Sequence, residues 1–197
     1  MKFIGITGGV GAGKTAILSY LGQKENVRVM LADEIAHDLM EPHTACYKEI
    51  CSHFPEADIY TEDGHFDRNK LAAVIFSDEE NRRIMNGIVH PAVKQYVVEQ
   101  QRFEREKGQL SFLILEAALL IEEHYDEICD ELWYIYTSEE NRRERLKSSR
   151  GYSDQKIDEI FASQLKEADY RKVCKQVIDN NGDLQKAYLQ IDHALRR

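Results

Sequence analysis

Five short apolar runs along the chain predict β-strands. Each run is rich in isoleucine, leucine, valine or aromatic residues, and each is too short to be a typical helix. They occupy residues 2–7, 27–31, 111–115, 132–136 and 176–179. Longer segments of helical character separate them, and strands that alternate with helices predict a parallel sheet covered by helices on both faces. We therefore expect an α/β fold with a five-stranded parallel sheet.

The stretch from residue 34 to residue 105 is predicted to be mostly helical. It is too long for one crossover between two strands, so we expect residues 35–105 to form an inserted substrate-binding region. Within it, Asp67 is expected to cap a helix that runs to Phe76. The pair His90-Pro91 is expected to break or kink the helix around it.

Residues 1–197 are predicted to form a single domain. Its core is expected to comprise about residues 1–34, 106–137 and 170–197. A charged helix over about 138–148, and another that begins near Ser153, lie between the last two strands.

Composition narrows the possible functions. The chain has 197 residues, is 43% hydrophobic and carries a formal net charge of -9, whereas nucleic-acid binding usually needs a basic stripe. The four cysteines form no CxxC pair, which indicates thiols in a reducing compartment. No run approaches the roughly 20 apolar residues of a membrane span, and the chain begins with a strand rather than a signal peptide. We expect a cytoplasmic protein that binds neither nucleic acid nor membrane, as a monomer or weak homo-oligomer.

A glycine-rich segment after the first strand matches a phosphate-binding loop. It reads Gly8-Gly9-Val10-Gly11-Ala12-Gly13-Lys14-Thr15 and fits G-x-x-x-x-G-K-[ST]. Glycines allow successive backbone N–H groups to turn inward around a phosphate, and the following helix directs its positive end at the same anion. The alternative is a chance glycine-rich turn, but the strand before and the helix after supply the context that the motif requires.

Two side chains of this loop predict its chemistry. Lys14 is expected to contact the β- and γ-phosphates of ATP, and the hydroxyl of Thr15 to ligate Mg²⁺. Residues 8–15 are therefore the predicted ATP site, Lys14 is a predicted catalytic residue, and Thr15 is the predicted metal ligand.

The rest of the chain favours a kinase over a GTPase. Residues 69–72 begin like the NKxD motif but have Ala72 in place of the aspartate. Residues 179–182 match DxxG, but they lie too far along the chain for a GTPase switch. A small kinase instead needs a carboxylate near the acceptor hydroxyl and arginines that close over the transferring phosphate.

Asp33 is the candidate carboxylate. It follows the second strand, at the sheet edge where α/β proteins place their ligands. Its alternative role is a helix N-cap, and the residues alone favour neither role.

The charged helix over 138–148 supplies the candidate arginines. Arg142 and Arg143 are interpreted as a solvated face balanced by neighbouring glutamates. Arg145 and Arg150, close to a turn at Gly151, are the better candidates for a lid that closes over ATP, and the lid is predicted to span about residues 138–165.

With these features the chain resembles the dephospho-coenzyme A kinase family, nearly end to end. The phosphate loop is common to many kinases, whereas the later motifs, in this order and spacing, are particular to the family. The matching features are ITGGVGAGKT at 6–15, LADEIA around Asp33, Phe66-Asp67-Arg68 with Leu71 and Phe76, His90-Pro91, LLxE at 119–122, Arg145 and Arg150, Gln164, and IDN-x-G at 178–182.

The resemblance implies a nucleoside-monophosphate-kinase-like core and a reaction. ATP, with Mg²⁺, phosphorylates the ribose 3′-hydroxyl of dephospho-coenzyme A to give coenzyme A. The resemblance also implies that Asp33 engages this hydroxyl, that Arg145 belongs to the lid, and that Asn180 lies near the adenine of ATP. Arg68 and His90 are implied on the acceptor side, although His90 is equally well explained as a structural residue.

The chain also departs from the family pattern. Leu31 replaces the first aspartate of a D-A-D motif, and His37 stands where arginine is usual. Glu116, Ala118 and Ile160 replace an aspartate, a proline and an arginine. Two alternatives therefore stay open: another small-molecule or nucleoside-monophosphate kinase, and a nucleotide-binding regulatory protein that has lost turnover.

Overall fold

The computed structural model describes residues 1–55 and 58–196. Its strands are β1 (Lys2–Thr7), β2 (Val27–Leu31), β3 (Phe112–Glu116), β4 (Glu131–Tyr136) and β5 (Gln176–Asp179). Its α-helices are α1 (Lys14–Gly22), α2 (Ala32–Leu39), α3 (Ala45–His53), α4 (Arg68–Ser77), α5 (Glu79–Lys107), α6 (Glu139–Arg150), α7 (Asp154–Ala162), α8 (Glu167–Val173) and α9 (Leu184–Leu195). A short 3₁₀ turn, Tyr125–Glu127, precedes β4.

The strands form one sheet in the order β2-β3-β1-β4-β5. β1 lies in the middle and pairs in parallel with β3, where Phe3 is opposite Leu113, and with β4, where Gly5 is opposite Leu132. β4 in turn pairs in parallel with β5. The predicted α/β fold with a five-stranded parallel sheet is confirmed.

The three central strands carry the core. Their apolar side chains are buried on both faces of the sheet, which explains why the sequence shows continuous apolar runs and not alternation. The fully buried members include Phe3, Ile4, Ile6, Leu113, Ile114, Leu115, Trp133 and Ile135.

The chain divides into two compact units. Unit 1, Met1–Met30 with Glu104–Arg197, contains the sheet and the helices that follow its strands. Unit 2, Leu31–Phe103, contains α2, α3, α4 and most of α5. The roles assigned to segments 35–105 and 138–165, acceptor binding and a lid, stay predictions.

Side-chain caps start helices where the sequence predicts them. Asp67 accepts hydrogen bonds from the backbone N–H groups of Asn69 and Lys70 at the start of α4. Ser153 accepts one from Lys156 at the start of α7. Each cap satisfies N–H groups that lack a partner within the helix.

The helix break expected as one outcome at His90-Pro91 does not occur. Helix α5 continues through both residues to Lys107. A proline inside a helix costs about 3 kcal/mol, since it lacks an N–H and clashes with the preceding turn. Val89, Val93 and Val97 are buried along α5, and their packing offsets this local cost. Neither α5, 29 residues long, nor any other helix in the described residues is both long and apolar enough to cross a membrane.

An ion pair between a partly exposed lysine and a buried carboxylate joins the first residues of β1 and β4. Glu131 is 7% exposed, pairs with Lys2 and accepts a hydrogen bond from the indole of Trp133 at 3.3 Å. Burial acts to raise the pKa of Glu131, but the hydrogen bonds from Lys2 and Trp133 and the charges of Lys2 and Lys175 together lower it. The folded state therefore favours the ionised carboxylate.

We predict that Glu131 stabilises the fold above its unfolded-state pKa and loses this effect as pH falls through its lower folded-state pKa. Glu131→Gln should reduce the free energy of unfolding at pH 7 by about 1.5–3 kcal/mol, the usual contribution of hydrogen bonds to a charged group. The difference from wild type should narrow below about pH 4.

Urea unfolding of wild type and of Glu131→Gln, at pH 7 and at about pH 3.5, measures the difference in free energy of unfolding at each pH. Glu127→Gln is the matched control, because Glu127 is exposed in the 3₁₀ turn before β4. A difference between wild type and Glu131→Gln that is equally large at both pH values would contradict the prediction.

Candidate active site

The loop between β1 and α1 has the backbone of a phosphate cradle. Gly11 and Gly13 have φ angles of 84° and 85°, in the left-handed region that favours glycine. Gly13 is also the N-cap of α1, and the first turn of this helix carries no acidic residue. The positive N-terminal end of α1 is therefore not neutralised by acidic residues of its own first turn, which favours binding of a phosphate.

Lys14 and a carboxylate lie together at one end of this loop. Lys14 Nζ donates to the carbonyl of Gly8 at 2.7 Å and lies 3.5 Å from Oε1 of Glu116, at the carboxyl end of β3. Thr15 follows Lys14 and is exposed.

Thr15 and Glu116 fit a magnesium–nucleotide complex by the chemistry of their oxygens. Magnesium is usually held by one or two such protein groups, with phosphates and waters as its other ligands. In the part of the chain that the structure describes, no cluster of three or more histidine, cysteine or acidic side chains forms a metal site. A dedicated protein cage is therefore not the arrangement to expect here.

The other end of the loop is fixed through the carbonyl of Ala12. This oxygen accepts hydrogen bonds from Asn180 Nδ2 at 2.8 Å, Thr137 Oγ1 at 3.1 Å and Arg145 Nη1 at 3.3 Å. Arg145 Nη2 also donates to the carbonyl of Asn180 at 2.7 Å. The structure thus brings together Ala12, Arg145 and Asn180, which the sequence singles out separately.

Thr137 also belongs to this cluster, although no motif in the sequence marks it. It is 2% exposed and donates to the carbonyls of Ala12 and Asn180. Its signal in the sequence is its position, directly after β4, because the carboxyl ends of parallel strands meet at one edge of the sheet.

The arginines of α6 take three different positions. The interpretation of Arg142 as part of a solvated face is wrong: it is 8% exposed and donates to the carbonyl of Val10 at 2.8 Å. Arg143 points outward and pairs with Asp154 at 3.0 Å and with Asp158, not with glutamates of its own helix. Arg150, at the end of α6, is exposed, with its guanidinium 5.9 Å from the ring centroid of Tyr152.

Unit 2 carries a groove of about 550 Å³. One part of its lining is polar and includes Asp33, His37 and Arg68, and another part is apolar. Phe76, a lining residue, is 77% exposed, which suits a wall that a bound ligand covers. The other apolar and aromatic lining residues are Met40, Phe66, Leu71, Ala72, Ile75 and Met85.

Asp33 lies inside the first turn of α2, whose N-cap is Leu31. The alternative interpretation of Asp33 as the N-cap is therefore wrong, because the helix begins two residues earlier than that role requires. Asp33 is instead one of the residues that line the groove.

Arg68 and His37 meet in the polar part of the groove. Arg68 Nη2 donates to the imidazole of His37, 2.7 Å from Nε2. Glu41 links this pair to a second histidine, with Oε1 3.7 Å from His37 Nε2 and Oε2 2.8 Å from His65 Nδ1. His90 lies in α5 and is not among the lining residues, so its acceptor role stays a prediction.

The chain is similar along its whole length to one family of known proteins. The family model described as dephospho-CoA kinase matches residues 2–186. The chain is 34% identical to the dephospho-CoA kinase of Streptococcus mutans over 100% of this chain and 97% of that protein. It is also 34% identical to that of Listeria monocytogenes over 96% and 94% of the two chains.

Solved structures show that the fold of this chain is shared. A Thermus thermophilus structure matches with a TM-score of 0.79 at 26% identity, over 99% of this chain and 96% of that one. A dephospho-CoA kinase from Campylobacter jejuni matches with a TM-score of 0.68 at 17% identity, again over 99% and 96%. A shikimate kinase from Bacteroides thetaiotaomicron, with a TM-score of 0.53 and 15% identity, shares the fold over 99% of this chain and 96% of that one.

We predict that Gly13→Ala damages the nucleotide site. A left-handed φ of 85° costs an L-residue about 1–2 kcal/mol, and the added Cβ would lie 2.5 Å from Asn180 Nδ2. Because 1.4 kcal/mol is tenfold in affinity, ATP binding measured by calorimetry should weaken by about tenfold or more.

Gly22→Ala, at the other end of α1, is the matched control. There the nearest atom to an added Cβ is Val29 Cγ2, at an ordinary 3.7 Å, so ATP affinity should stay at the wild-type value. Equal ATP affinities for wild type, Gly13→Ala and Gly22→Ala would contradict the prediction.

Proposed function

The chain belongs to the dephospho-CoA kinase family, and we propose that its phosphate loop and the groove of unit 2 serve the two substrates of that reaction. The reaction transfers a phosphoryl group from ATP to the ribose 3′-hydroxyl of dephospho-coenzyme A, which gives coenzyme A in the last step of its biosynthesis. The observation that carries the proposal is the phosphate loop itself, with Lys14 at its end and its Ala12 carbonyl tied by three donors.

We propose that ATP binds to the loop of unit 1. The backbone of residues 8–13 and the N-terminus of α1 hold the phosphates, and Lys14 neutralises charge on the β- and γ-phosphates. Arg145 and Asn180 are proposed to bind the nucleotide at the other end of the loop, and the support is that they contact each other beside Ala12. Arg150, exposed at the end of α6, is proposed to close over the phosphates.

We propose that Thr15 and Glu116 hold Mg²⁺ together with the phosphates. When bound, the ion would neutralise the charge of the β- and γ-phosphates. Lys14 is 3.5 Å from Glu116, so one carboxylate orients the lysine and contributes an oxygen to the metal site.

We propose that dephospho-coenzyme A binds in the groove of unit 2. Its diphosphate needs a cation, and Arg68 supplies a planar guanidinium suited to phosphate oxygens. Its base and its pantetheine arm need apolar surface, which Phe76 and Leu71 supply.

We propose that Asp33 orients the ribose 3′-hydroxyl and accepts its proton. As the hydroxyl oxygen bonds to the γ-phosphorus, the bond between this phosphorus and the β–γ bridging oxygen breaks, and ADP leaves. The transition state of phosphoryl transfer is loose, so the carboxylate acts chiefly by aiming the hydroxyl.

We also propose a cytoplasmic setting without nucleic-acid partners, as a monomer or weak homo-oligomer. The support is the net charge of -9 and the four cysteines, all of them free thiols, which suit a reducing compartment.

A panel of acceptors tests the substrate. Among dephospho-coenzyme A, AMP, CMP, gluconate and shikimate, only the first should support rapid ADP formation. Lys14→Ala, which we expect to fold but not to transfer phosphate, is the control for contaminating ATPase. Faster turnover with AMP or CMP would favour another small-molecule kinase, and tight ATP binding without turnover on any acceptor would favour the regulatory alternative.

We predict that Asp33→Asn lowers kcat by about 10²–10⁴-fold, the usual contribution of a positioned acid or base. The substitution keeps the shape of the side chain and removes its charge. ATP affinity, measured by calorimetry, should change little because the phosphate loop is untouched.

Asp38→Asn is the matched control, because Asp38 is an exposed aspartate of the same helix that does not line the groove. It should keep wild-type kcat. If Asp33→Asn lowers kcat by less than about fivefold, well below the expected range, Asp33 does not handle the hydroxyl. If ATP affinity collapses with kcat, Asp33 serves the metal instead.

A further inference from the structure

Arg142 is a buried arginine that contacts the phosphate loop. It lies in α6, is 8% exposed, and donates from Nε to the carbonyl of Val10 at 2.8 Å. Its Nη2 donates to the side-chain oxygen of Gln164, just beyond the end of α7. One guanidinium thus joins three segments of unit 1 that are distant in sequence.

The charge of Arg142 has no carboxylate partner among the described residues. Both of its hydrogen-bond acceptors are neutral oxygens, and the face of its guanidinium lies 4.3 Å from the ring centroid of Phe161. Burial is the main cause that lowers the pKa of Arg142, opposed by nearby Tyr134, Tyr170 and Glu139. An arginine nevertheless stays protonated in proteins, so a full positive charge is buried there.

The tyrosines do not neutralise this charge. Burial raises the pKa of Tyr134 to about 12 and also raises that of Tyr170, so both phenols are uncharged at neutral pH. Glu139, one turn earlier in α6, forms no ion pair with Arg142 within the described residues. A buried charge without a partner is costly in free energy. This cost indicates that an anion from a bound ligand is the partner of Arg142.

The loop is shaped around this guanidinium. A Cβ on Gly9 would lie 2.4 Å from Cζ of Arg142, and one on Gly11 would lie 3.1 Å from its backbone oxygen. Two glycines of the loop thus leave the space that Arg142 and its helix occupy. The side chain is therefore adjacent to the backbone that would hold the phosphates.

We propose that Arg142 is a further positioning residue for ATP. Arg142 holds the loop through the Val10 carbonyl, and the phosphates of the bound nucleotide compensate its buried charge. The inference rests on the proposed function, since it takes the loop to be the ATP site. It differs from a purely structural role in one respect: the positive charge, and not only the packing of the side chain, contributes to nucleotide affinity.

Arg143 supplies the matched control on the same helix. It also lies near Phe161, at 5.5 Å from the ring centroid, but it is paired with Asp154 and Asp158. Removing its charge therefore removes a cation that carboxylates already neutralise. Arg143→Gln should bind ATP with wild-type affinity.

Two variants separate charge from packing. Arg142→Gln removes the charge, and Gln164→Glu keeps Arg142 but places a carboxylate beside it. Both should weaken ATP binding in calorimetry by about tenfold, the order expected of one charge near a protein surface. Both should raise KM for ATP more than they change kcat, and leave KM for dephospho-coenzyme A at the wild-type value.

The two variants should differ in their thermal unfolding temperature. Arg142→Gln should unfold at a lower temperature than wild type, whereas Gln164→Glu should unfold at the same or a higher temperature, because it gains an ion pair. Weaker ATP binding in a Gln164→Glu protein of undiminished stability is the result that supports the proposal, and it does not depend on whether Arg142→Gln folds.

Wild-type ATP affinity in Gln164→Glu would overturn the proposal and leave Arg142 as a packing residue of α6. Weakened affinity in Arg143→Gln, to the same degree as in Arg142→Gln, would also overturn it, because the effect would then be one of general surface charge. If the wild-type protein bound no ATP, the proposed function would fail and this inference with it.

Discussion

The carbonyl groups of the phosphate loop impose the constraint on which the rest of the site depends. A loop that turns its N–H groups toward an anion turns its carbonyls away from it, and each buried carbonyl then needs a donor. The donors come from the start of α1, from the ends of β4 and β5 and from α6, so segments distant in sequence hold the loop together. They are Lys14 to Gly8, Arg142 to Val10, and Thr137, Arg145 and Asn180 to Ala12.

The sheet could be predicted from the sequence because burial on both faces leaves a local signal. The three central strands are largely buried apolar runs. The predicted bounds of the last strand, residues 176–179, also coincide with β5, although this strand is less buried. The course of α5 through Pro91 could not be predicted in the same way. Whether a proline ends a helix depends on the packing of residues around it, here Val89, Val93 and Val97, and the sequence of a single segment does not contain that information.

The site was predictable where its residues are adjacent in sequence and not where the fold alone brings them together. Residues 8–15 form a motif, whereas Arg142 reaches Val10 across 132 positions and Thr137 reaches Ala12 across 125. Whether Asp33 is a helix N-cap or a carboxylate for the acceptor hydroxyl depends on where α2 begins. Because α2 begins at Ala32, Leu31 is the cap and the carboxylate lies in the first turn. Boundaries are the least certain part of any sequence-based assignment.

Local charge explains how an acidic protein can hold a polyanion. The net charge of -9 belongs mostly to exposed carboxylates, whose fields are screened over about 8 Å at physiological ionic strength. The helical period of α6 separates its cations: Arg142 and Arg145, three residues apart, lie on one face and contact the loop, whereas Arg143 faces outward to Asp154 and Asp158. The outward arginine is neutralised by carboxylates of the protein, whereas the hydrogen-bond acceptors of the inward pair, among the described residues, are all neutral oxygens. A phosphate held by the loop would therefore lie near two arginines, Arg142 and Arg145, that form no ion pair with a carboxylate in the described part of the chain. The net charge of the whole chain does not determine the electrostatic potential at this site.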